Sequence, residues 1–581
     1  MLKYPQYRPN KSIVLAAFAL YLLVALVAGL AGASFTRSLW SNYERMQGIW
    51  DLAHWFAFLG IIGSVIRGQS EWRLLFTGTL IVGILVGLLG VAEQLEISLP
   101  FFWFLQKAER LEITVGNPGY AGIYMLVHFM LALGLLTQSF QSAPVLTGRK
   151  FRELRQELRQ ERIWIRWMQA VWLFSAVLSV AILFLTGTRA VFLGLVVGLV
   201  VVAVGYMVWG RGKSLRVATA GVGSLLLIGA IALPFINEMP LFKSLYANSD
   251  LLQRFSRENL AGALAGRWVV ARPGIRGFLA RPLLGWGPEN YSIVYDRFVL
   301  AKNIEDIPIL TFDQAHNKPV EELSTKGILG FGAYIFVWIT AFWILFLKVK
   351  RRDQDQWLYL FVIGALASYF TASLFWFDSS VTLLVLMLLF GWLINLEADM
   401  NNESISSAVT GKGPMPTGDP SPNRSKSNKF GRSEVYIPYI GIVAVIIVLL
   451  ASSIYILNYR PFRAAQAAYY LSTSHGEVKS TRDLRPIDDV LIKMHESASY
   501  FPPLSTLPAR MMIQQALGHW GSLSMEKWAE AFPLAVEQGK LAIKREPLDP
   551  KLYMAMGRIY QTGRHLNPTH LETANYYVEM A

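Results

Sequence analysis

Long apolar stretches separated by short polar ones dominate the hydrophobic pattern of this chain. Eleven of them come close to or exceed the roughly 20 residues that a helix needs to cross a bilayer. The predicted spans are residues 13–33, 48–66, 74–92, 119–139, 169–186, 190–209, 217–236, 328–347, 357–375, 380–396 and 436–457. The pattern therefore predicts an all-α, polytopic membrane protein with about 11 transmembrane helices.

Three polar stretches interrupt or follow these spans. Residues 237–326 form a large loop with helical segments, and residues 398–433, rich in Ser, Asn and Pro, are predicted to be a disordered linker. Residues 458–581 are charged and amphipathic, and residues 541–560 resemble the tetratricopeptide (TPR) pattern. We expect a membrane domain over residues 1–457, followed by a TPR-like helical domain.

The composition supports a membrane protein. Of the 581 residues, 53% are hydrophobic and 16% charged, whereas a soluble domain carries about 25% charged residues. The absence of cysteine excludes disulfides, thiolate nucleophiles and Cys-ligated metals. The first apolar stretch follows Lys3, Arg8 and Lys11 and lacks a convincing cleavage site, so we expect a retained anchor rather than a removed signal peptide.

The basic charge follows the loops between the spans. The net charge of +14 is spread over these loops and does not cluster on a soluble domain, so a nucleic-acid partner is not expected. With the N-terminus in the cytoplasm, Lys and Arg concentrate in the inner segments, as the positive-inside rule requires. This orientation in the cytoplasmic (inner) membrane places residues 237–326, the turn Gly187-Thr188-Arg189 and residues 458–581 outside.

The end of the large loop carries a candidate base. His316 precedes the eighth span, and a histidine there can exchange a proton near neutral pH. Asn317 follows it as a potential helix cap, and Glu321 and Glu322, one turn further on, could orient or tune the imidazole. The alternative is that His316 is only a polar residue at a helix start.

At these residues the chain resembles the O-antigen ligase family, within the wider group of polyprenyl-diphosphate-using ligases and polymerases. The family's signature is His, then Asn, Ser or Gln, nine residues, Gly, two residues and Gly. His316-Asn317, Gly327 and Gly330 match it without a gap. Four further segments resemble family motifs in order: Gly116-Asn117-Pro118, Gly187-Thr188-Arg189, Gly262 to Trp268 with Arg267, and Gly285-Trp286-Gly287-Pro288-Glu289-Asn290. The resemblance covers about residues 10–457, and the TPR-like tail is an addition found only in some relatives.

The resemblance implies a membrane glycosyltransferase that moves a glycan from a polyprenyl diphosphate carrier to an acceptor hydroxyl outside the membrane. Cations would stabilise the departing diphosphate, and a base would remove the hydroxyl proton. The implied catalytic residues are His316 as the base, with Arg189 and Arg267 on the diphosphate. The implied substrate-binding residues are Asn317, Glu321, Glu322, Asn117, Gly285 and Gly287. No cofactor is expected, and because no residue set has zinc spacing, metal-independent chemistry is expected.

Several residues have a second interpretation. Arg189 could instead be an arginine that reaches the headgroups, and most other arginines of the large loop are expected to be solvated or paired. The interfacial belt is expected to include Trp72, Trp103, Trp286 and Trp376. In the large loop, Trp268 and Trp286 could instead stack on a sugar. Polar groups within or beside the spans are either functional or caps; they are Asp51, His54, Glu93, Gln94, His128 and Asp378.

Three rival functions remain open at this stage. A polymerase of the same family would extend the glycan on its lipid. A lipid-linked glycan transporter would favour charges deep in the spans and repeated, broken halves, neither of which is clear here. A TPR scaffold would need far fewer than eleven spans as an anchor. The expected partners are the lipid-linked glycan, an acceptor glycan, lipid or protein hydroxyl, membrane lipids, and a protein bound through the TPR-like domain.

Overall fold

The computed structural model describes residues 8–42, 45–97, 110–141, 153–210, 212–236, 239, 248–299, 312–352, 355–410, 448, 451–460, 462–463, 466 and 525–581. Within these ranges every regular element is helical, which confirms the all-α prediction. The chain divides into two compact units. The first comprises Met1–Gly32 and Ile49–Met400, and the second comprises Ala33–Gly48 and Asn401–Ala581.

The described helices are numbered in chain order. They are α1 (Ile13–Leu30), α2 (Phe35–Trp40), α3 (Ile49–Val65), α4 (Gln69–Gln94), α5 (Pro118–Gln141), α6 (Glu153–Thr186), α7 (Arg189–Trp209), α8 (Lys213–Ile236), α9 (Asp250–Gln253), α10 (Arg257–Ala280), α11 (Tyr291–Phe298), α12 (Lys318–Arg351), α13 (Gln356–Ser373), α14 (Ser380–Thr410), α15 (Met525–Arg545), α16 (Pro550–Thr562) and α17 (His570–Met580). Short 3-10 turns lie at Ile113–Val115 and Gly563–His565, and a π-helical turn lies at Tyr455–Tyr459.

Ten of the eleven predicted spans coincide with helices, namely α1, α3 to α8 and α12 to α14. Eight of these helices are long and apolar enough to cross a membrane: α1, α4, α5, α6, α7, α8, α12 and α14. Helix α3 is apolar but has only 17 residues. The eleventh predicted span, residues 436–457, lies mostly outside the described residues, so the count of eleven stays a prediction.

Two helices run further than their sequence patterns indicate. Helix α6 is continuous from the basic segment at Glu153 to Thr186, whereas the predicted span covers only residues 169–186. The continuity follows from the absence of Gly and Pro between these ends. Helix α14 extends through Thr410 into the predicted linker, and residues 411–433 of that linker lie outside the described residues.

Small residues bring α7 and α13 close together at the centre of the first unit. A Cβ atom on Gly198 of α7 would lie 2.7 Å from the carbonyl oxygen of Gly364 on α13, and one on Gly194 would lie 2.7 Å from the carbonyl oxygen of Ser368. Such small-residue contacts are typical of helix packing in membranes, where close backbone approach replaces a hydrophobic driving force. The same two helices reach the region that holds the candidate site.

Contacts between helix ends group several helix termini at two ends of the first unit. At one end, the start of α5 contacts the connection between α13 and α14, because Gly119 lies against Trp376. At the other end, the hydroxyl of Ser12 donates to Glu397 at 2.6 Å, and the Gln356 amide donates to the Trp209 carbonyl at 3.3 Å. The orientation of the bundle relative to the cytoplasm stays a prediction.

In the second unit, the described C-terminal helices α15, α16 and α17 pack in sequence. The side chain of Asp549 accepts the Lys551 N–H at 3.0 Å and caps α16, with Pro550 as the first helical residue. The rings of Phe532 and Tyr560 meet edge to face, with centroids 5.6 Å apart. Consecutive packed helices agree with the TPR-like prediction, which itself stays untested.

Candidate active site

His316 stands directly before α12 in an unusual backbone conformation. Its φ is +51°, in the left-handed region that residues with a Cβ seldom adopt. Its Nδ1 lies 3.2 Å from the Gln314 carbonyl oxygen. The imidazole meets the rings of Trp376 and Phe377 nearly at right angles, with centroids 5.9 and 5.0 Å away. The ring thus stands against the segment that connects α13 and α14.

We call residues 374–378 the 374–378 loop. Asn317 ties this loop to the start of α12 with both ends of its amide. Its Oδ1 accepts the Val320 N–H at 3.0 Å, as the predicted N-cap, and its Nδ2 donates to the Leu374 carbonyl oxygen at 2.9 Å. The residue after His316 therefore fixes the helix start and the loop together.

Arg267 reaches the same loop from α10. Its Nε donates to the Phe375 carbonyl oxygen at 3.3 Å, and its guanidinium lies 5.7 Å from the centre of the Phe375 ring. Burial lowers the pKa of Arg267, and the positive charge of Arg189 lowers it further. The two guanidinium groups are therefore close enough to repel each other, and an arginine nevertheless keeps its charge near neutral pH.

Arg189 is the first residue of α7. Its Nη1 donates to the carbonyl oxygens of Arg254 at 3.2 Å and Asn259 at 2.7 Å. The turn before it depends on Gly187, whose φ is +56°. The N-terminus of a 21-residue helix adds a partial positive charge at this point. The charge of Arg189 acts on Arg267, so the two residues bring positive charge to one region; their shared role on a diphosphate stays a prediction.

Arg110 also belongs to this region, and the sequence analysis missed it. Its Nε donates to the Thr186 carbonyl oxygen at 3.0 Å, and its Nη2 donates to the Thr188 hydroxyl at 2.6 Å. Arg110 therefore braces the turn that presents Arg189. No local pattern marks this residue, because the contact joins positions 76 and 78 residues apart.

Glu321 and Glu322, the two carboxylates predicted to bind substrate, are buried. Glu322 is fully buried, and its Oε1 accepts hydrogen bonds from the Tyr21 hydroxyl at 2.9 Å, Lys318 at 3.1 Å and Lys326 at 3.0 Å. The Oε2 atom of Glu321, also buried, accepts the N–H of Ala315 at 2.8 Å. These positions favour structural roles over direct substrate contact. Glu321 reaches His316 through the backbone of the neighbouring Ala315.

Lys318 joins this buried charge cluster to the 374–378 loop. Its Nζ lies 3.0 Å from Oδ2 of Asp378 as well as 3.1 Å from Glu322. The Tyr369 hydroxyl donates to the other oxygen of Asp378 at 2.7 Å. In the sequence, Asp378 is recognisable only as a polar group beside a span, and no motif marks Lys318. The ion pair gives the loop a further anchor on α12.

The signature glycine Gly327 breaks α12. Its φ of +66° and ψ of −167° are not helical. The N–H of Ile328 donates instead to the Pro282 carbonyl oxygen at 2.8 Å. A Cβ on Gly327 would lie 2.6 Å from the backbone nitrogen of Leu284. Only glycine fits this conformation and this close approach.

Gly285 and Gly287 hold the other side of the break. Their φ angles are +64° and +91°, and the N–H of Gly287 donates to the Thr325 carbonyl oxygen at 2.7 Å. A Cβ on Gly285 would lie 2.6 Å from the backbone nitrogen of Lys326. The predicted substrate-binding glycines therefore have a structural explanation: they support the segment that follows His316.

Asn117 has a comparable explanation. Its Oδ1 accepts the Gly119 N–H at 2.8 Å, which caps the start of α5. Gly116 supplies a left-handed residue with φ of +69°, and Pro118 is the first residue of the helix. The three-residue motif is thus a helix start. It places Gly119, the second residue of α5, against the 374–378 loop.

The two tryptophans of the large loop differ in exposure. Trp286 is 3% exposed, and its Nε1 donates to the Gly277 carbonyl oxygen at 2.9 Å. Its ring is covered by Arg281, whose guanidinium carbon lies 4.2 Å from the ring centre. Burial makes both predicted roles of Trp286, sugar stacking and the interfacial belt, wrong. Trp268 is 56% exposed, and its stacking on a sugar stays a prediction.

The other polar groups noted beside the spans have local partners. The Trp55 indole donates to Asp51 at 3.0 Å, and Nδ1 of His54 lies 2.8 Å from the Trp50 carbonyl oxygen. His128 is fully buried and faces the Tyr124 carbonyl oxygen at 2.8 Å. In the described part of the chain, no group of three or more His, Asp or Glu residues is arranged to hold a metal ion.

The fold and this site define a polytopic helical membrane protein with an imidazole and guanidinium groups gathered at one end of its bundle. Residues 174–335 match the family model described as O-Antigen ligase. The match includes Arg189, Arg267 and His316, and it confirms the family resemblance. The match supports a membrane glycosyltransferase of the ligase or polymerase type. No match to a curated protein is found.

Proposed function

We propose that this protein transfers a glycan from a polyprenyl diphosphate carrier to an acceptor hydroxyl at the outer face of the cytoplasmic membrane. One observation carries the proposal: the imidazole of His316 and the guanidinium of Arg267 both contact the 374–378 loop. A proton acceptor and a cation are thus held on one short support, which is the pairing that this reaction needs.

Arg189 and Arg267 bind the diphosphate of the donor. Charge-assisted hydrogen bonds from guanidinium groups suit phosphate oxygens, and a helix N-terminus such as that of α7 adds favourable potential. Negative charge grows on the diphosphate as its bond to the sugar breaks, so the same contacts strengthen in the transition state.

His316 accepts the proton of the acceptor hydroxyl. As the acceptor oxygen bonds to the anomeric carbon, the bond from that carbon to the diphosphate oxygen breaks, and its electron pair leaves with the carrier. The proton goes to the imidazole. The TPR-like region, on the same outer side in the predicted topology, would recruit the acceptor or a partner protein, as helical solenoids do.

The test uses purified protein in lipid nanodiscs with a polyprenyl-diphosphate glycan and candidate acceptors. His316→Gln should keep donor binding and slow transfer by about 100-fold or more, because it removes a general base. Arg189→Ala should weaken donor binding.

His565→Gln, an exposed histidine of the second unit, is the matched control. Transfer by His316→Gln at the parental rate would refute the base assignment. Normal binding and turnover by Arg189→Ala would refute the diphosphate role. A product carried on a second lipid-linked chain would identify a polymerase.

A further inference from the structure

The 374–378 loop contacts two of the three candidate catalytic side chains, those of His316 and Arg267. Arg267 donates to the carbonyl oxygen of Phe375, and Asn317 donates to that of Leu374. His316 stands against the rings of Trp376 and Phe377. These side chains come from α10 and from the start of α12, so the loop sets the distance between the base and the cation.

The loop in turn rests on the start of α5. A Cβ on Gly119 would lie 2.6 Å from Cζ2 and 2.8 Å from Nε1 of Trp376, so only glycine leaves room for the indole. The ring of Tyr120 meets that of Phe377 edge to face at 5.6 Å. Neither Gly119 nor Tyr120 is part of the machinery assigned above. The start of α5 therefore packs against the 374–378 loop and supports it.

The indole also fixes the plane of the imidazole. The rings of Trp376 and Phe377 are parallel to within 4°, and both stand nearly perpendicular to that of His316, at 82° and 86°. Edge-to-face packing of this kind is favourable and orients the partner ring. A shift of the indole therefore shifts the base and, through the neighbouring Phe375 carbonyl, the guanidinium of Arg267.

We propose that Gly119 and Trp376 are positioning residues for the transfer reaction. Gly119 determines how closely the 374–378 loop packs on α5. Trp376, which contacts both Gly119 and His316, thereby determines the position of the imidazole. The inference rests on the proposed function. It predicts that one added methyl group on α5 disturbs the base and the diphosphate site together, although Gly119 belongs to neither.

The test compares Gly119→Ala with the parent in nanodiscs, measuring kcat, the KM for the glycan donor and the Kd for a polyprenyl diphosphate without glycan. We expect kcat to fall by about 10- to 100-fold, because misplacement of reacting groups by about 1 Å costs up to 100-fold. The KM and Kd should rise. Gly134→Ala is the matched control, since its Cβ would meet Leu358 and Phe361 of α13 at 3.0 Å, away from the loop. It should leave all three values close to those of the parent.

A second variant separates positioning from loss of structure. Trp376→Phe removes the part of the indole that rests on Gly119 but keeps an aromatic edge. Added to Gly119→Ala, it should recover at least several-fold of the lost kcat. No recovery, or a Gly119→Ala protein with parental kcat and KM, would overturn the inference. A parent protein that transfers no glycan would instead overturn the proposed function, and the inference with it.

Discussion

At the scale of single residues, the signature positions around His316 have distinct physical tasks. His316 adopts a left-handed conformation that turns the loop into α12. Asn317 caps that helix and holds the 374–378 loop at once. Gly327 ends the first part of the helix with a backbone that other residues cannot adopt without strain. The spacing of the motif therefore reflects one helical segment held at both ends.

Asn317 allows its two contacts to be separated. In Asn317→Asp, an oxygen still accepts the Val320 N–H, but the second oxygen faces the Leu374 carbonyl oxygen in place of the donating Nδ2. We expect transfer to fall by at least 10-fold while thermal stability in detergent stays near that of the parent. Asn317→Ala should lose the cap as well, at a cost of about 1 kcal/mol.

Rate assays and thermal unfolding of both variants make this comparison. Parental transfer by Asn317→Asp would show that the bond to Leu374 does not position the site. Equal losses of stability in the two variants would show that the bond to Leu374, and not the cap, accounts for the contribution of Asn317 to stability.

At the scale of elements, α12 is two helical segments joined at a break. The break frees backbone groups that segment 282–287 of the large loop satisfies, through Ile328 and Thr325 among others. The charged first segment thus stands apart from the apolar segment that follows, and His316 precedes the former. Irregular backbone beside a membrane helix is tolerated where protein groups complete its hydrogen bonds.

Gly327→Ala tests the importance of this break. The new Cβ would lie 2.6 Å from the Leu284 backbone nitrogen in a left-handed conformation, so we expect destabilisation by about 1–3 kcal/mol and loss of transfer. Gly332→Ala, on the same helix and with no atom within 4 Å of the added Cβ, is the control. Thermal unfolding in detergent measures both. If the two variants unfold at the same temperature, the break has no structural importance.

Some features of these elements follow from the sequence, and others do not. Apolar length predicts the spans, because crossing a bilayer constrains each helix locally. The turns at Gly116-Asn117-Pro118 and His316-Asn317 are also local, since caps and left-handed residues have their own preferences. In contrast, two contacts join segments that are distant in the sequence. Trp376 packs on Gly119, and Arg110 donates a hydrogen bond to Thr186. No pattern in one sequence indicates such contacts.

At the scale of the whole molecule, the alternating helices bring the starts of α5, α7 and α12 to one end of the bundle, together with the 374–378 loop. The imidazole and the guanidinium groups come from different parts of the chain and meet only because the topology places them at this end. The sequence predicted His316, Arg189 and Arg267 as the catalytic residues. The structure adds the loop that connects two of them, and it explains the predicted binding glycines as supports.

The most direct test of the central claim is a cryo-electron microscopy structure of the protein in nanodiscs with a bound polyprenyl-diphosphate glycan. We expect diphosphate density in contact with the guanidinium groups of Arg189 and Arg267, with the first sugar facing the imidazole of His316. Diphosphate density elsewhere, or a sugar that no movement of the 374–378 loop could bring to His316, would contradict it.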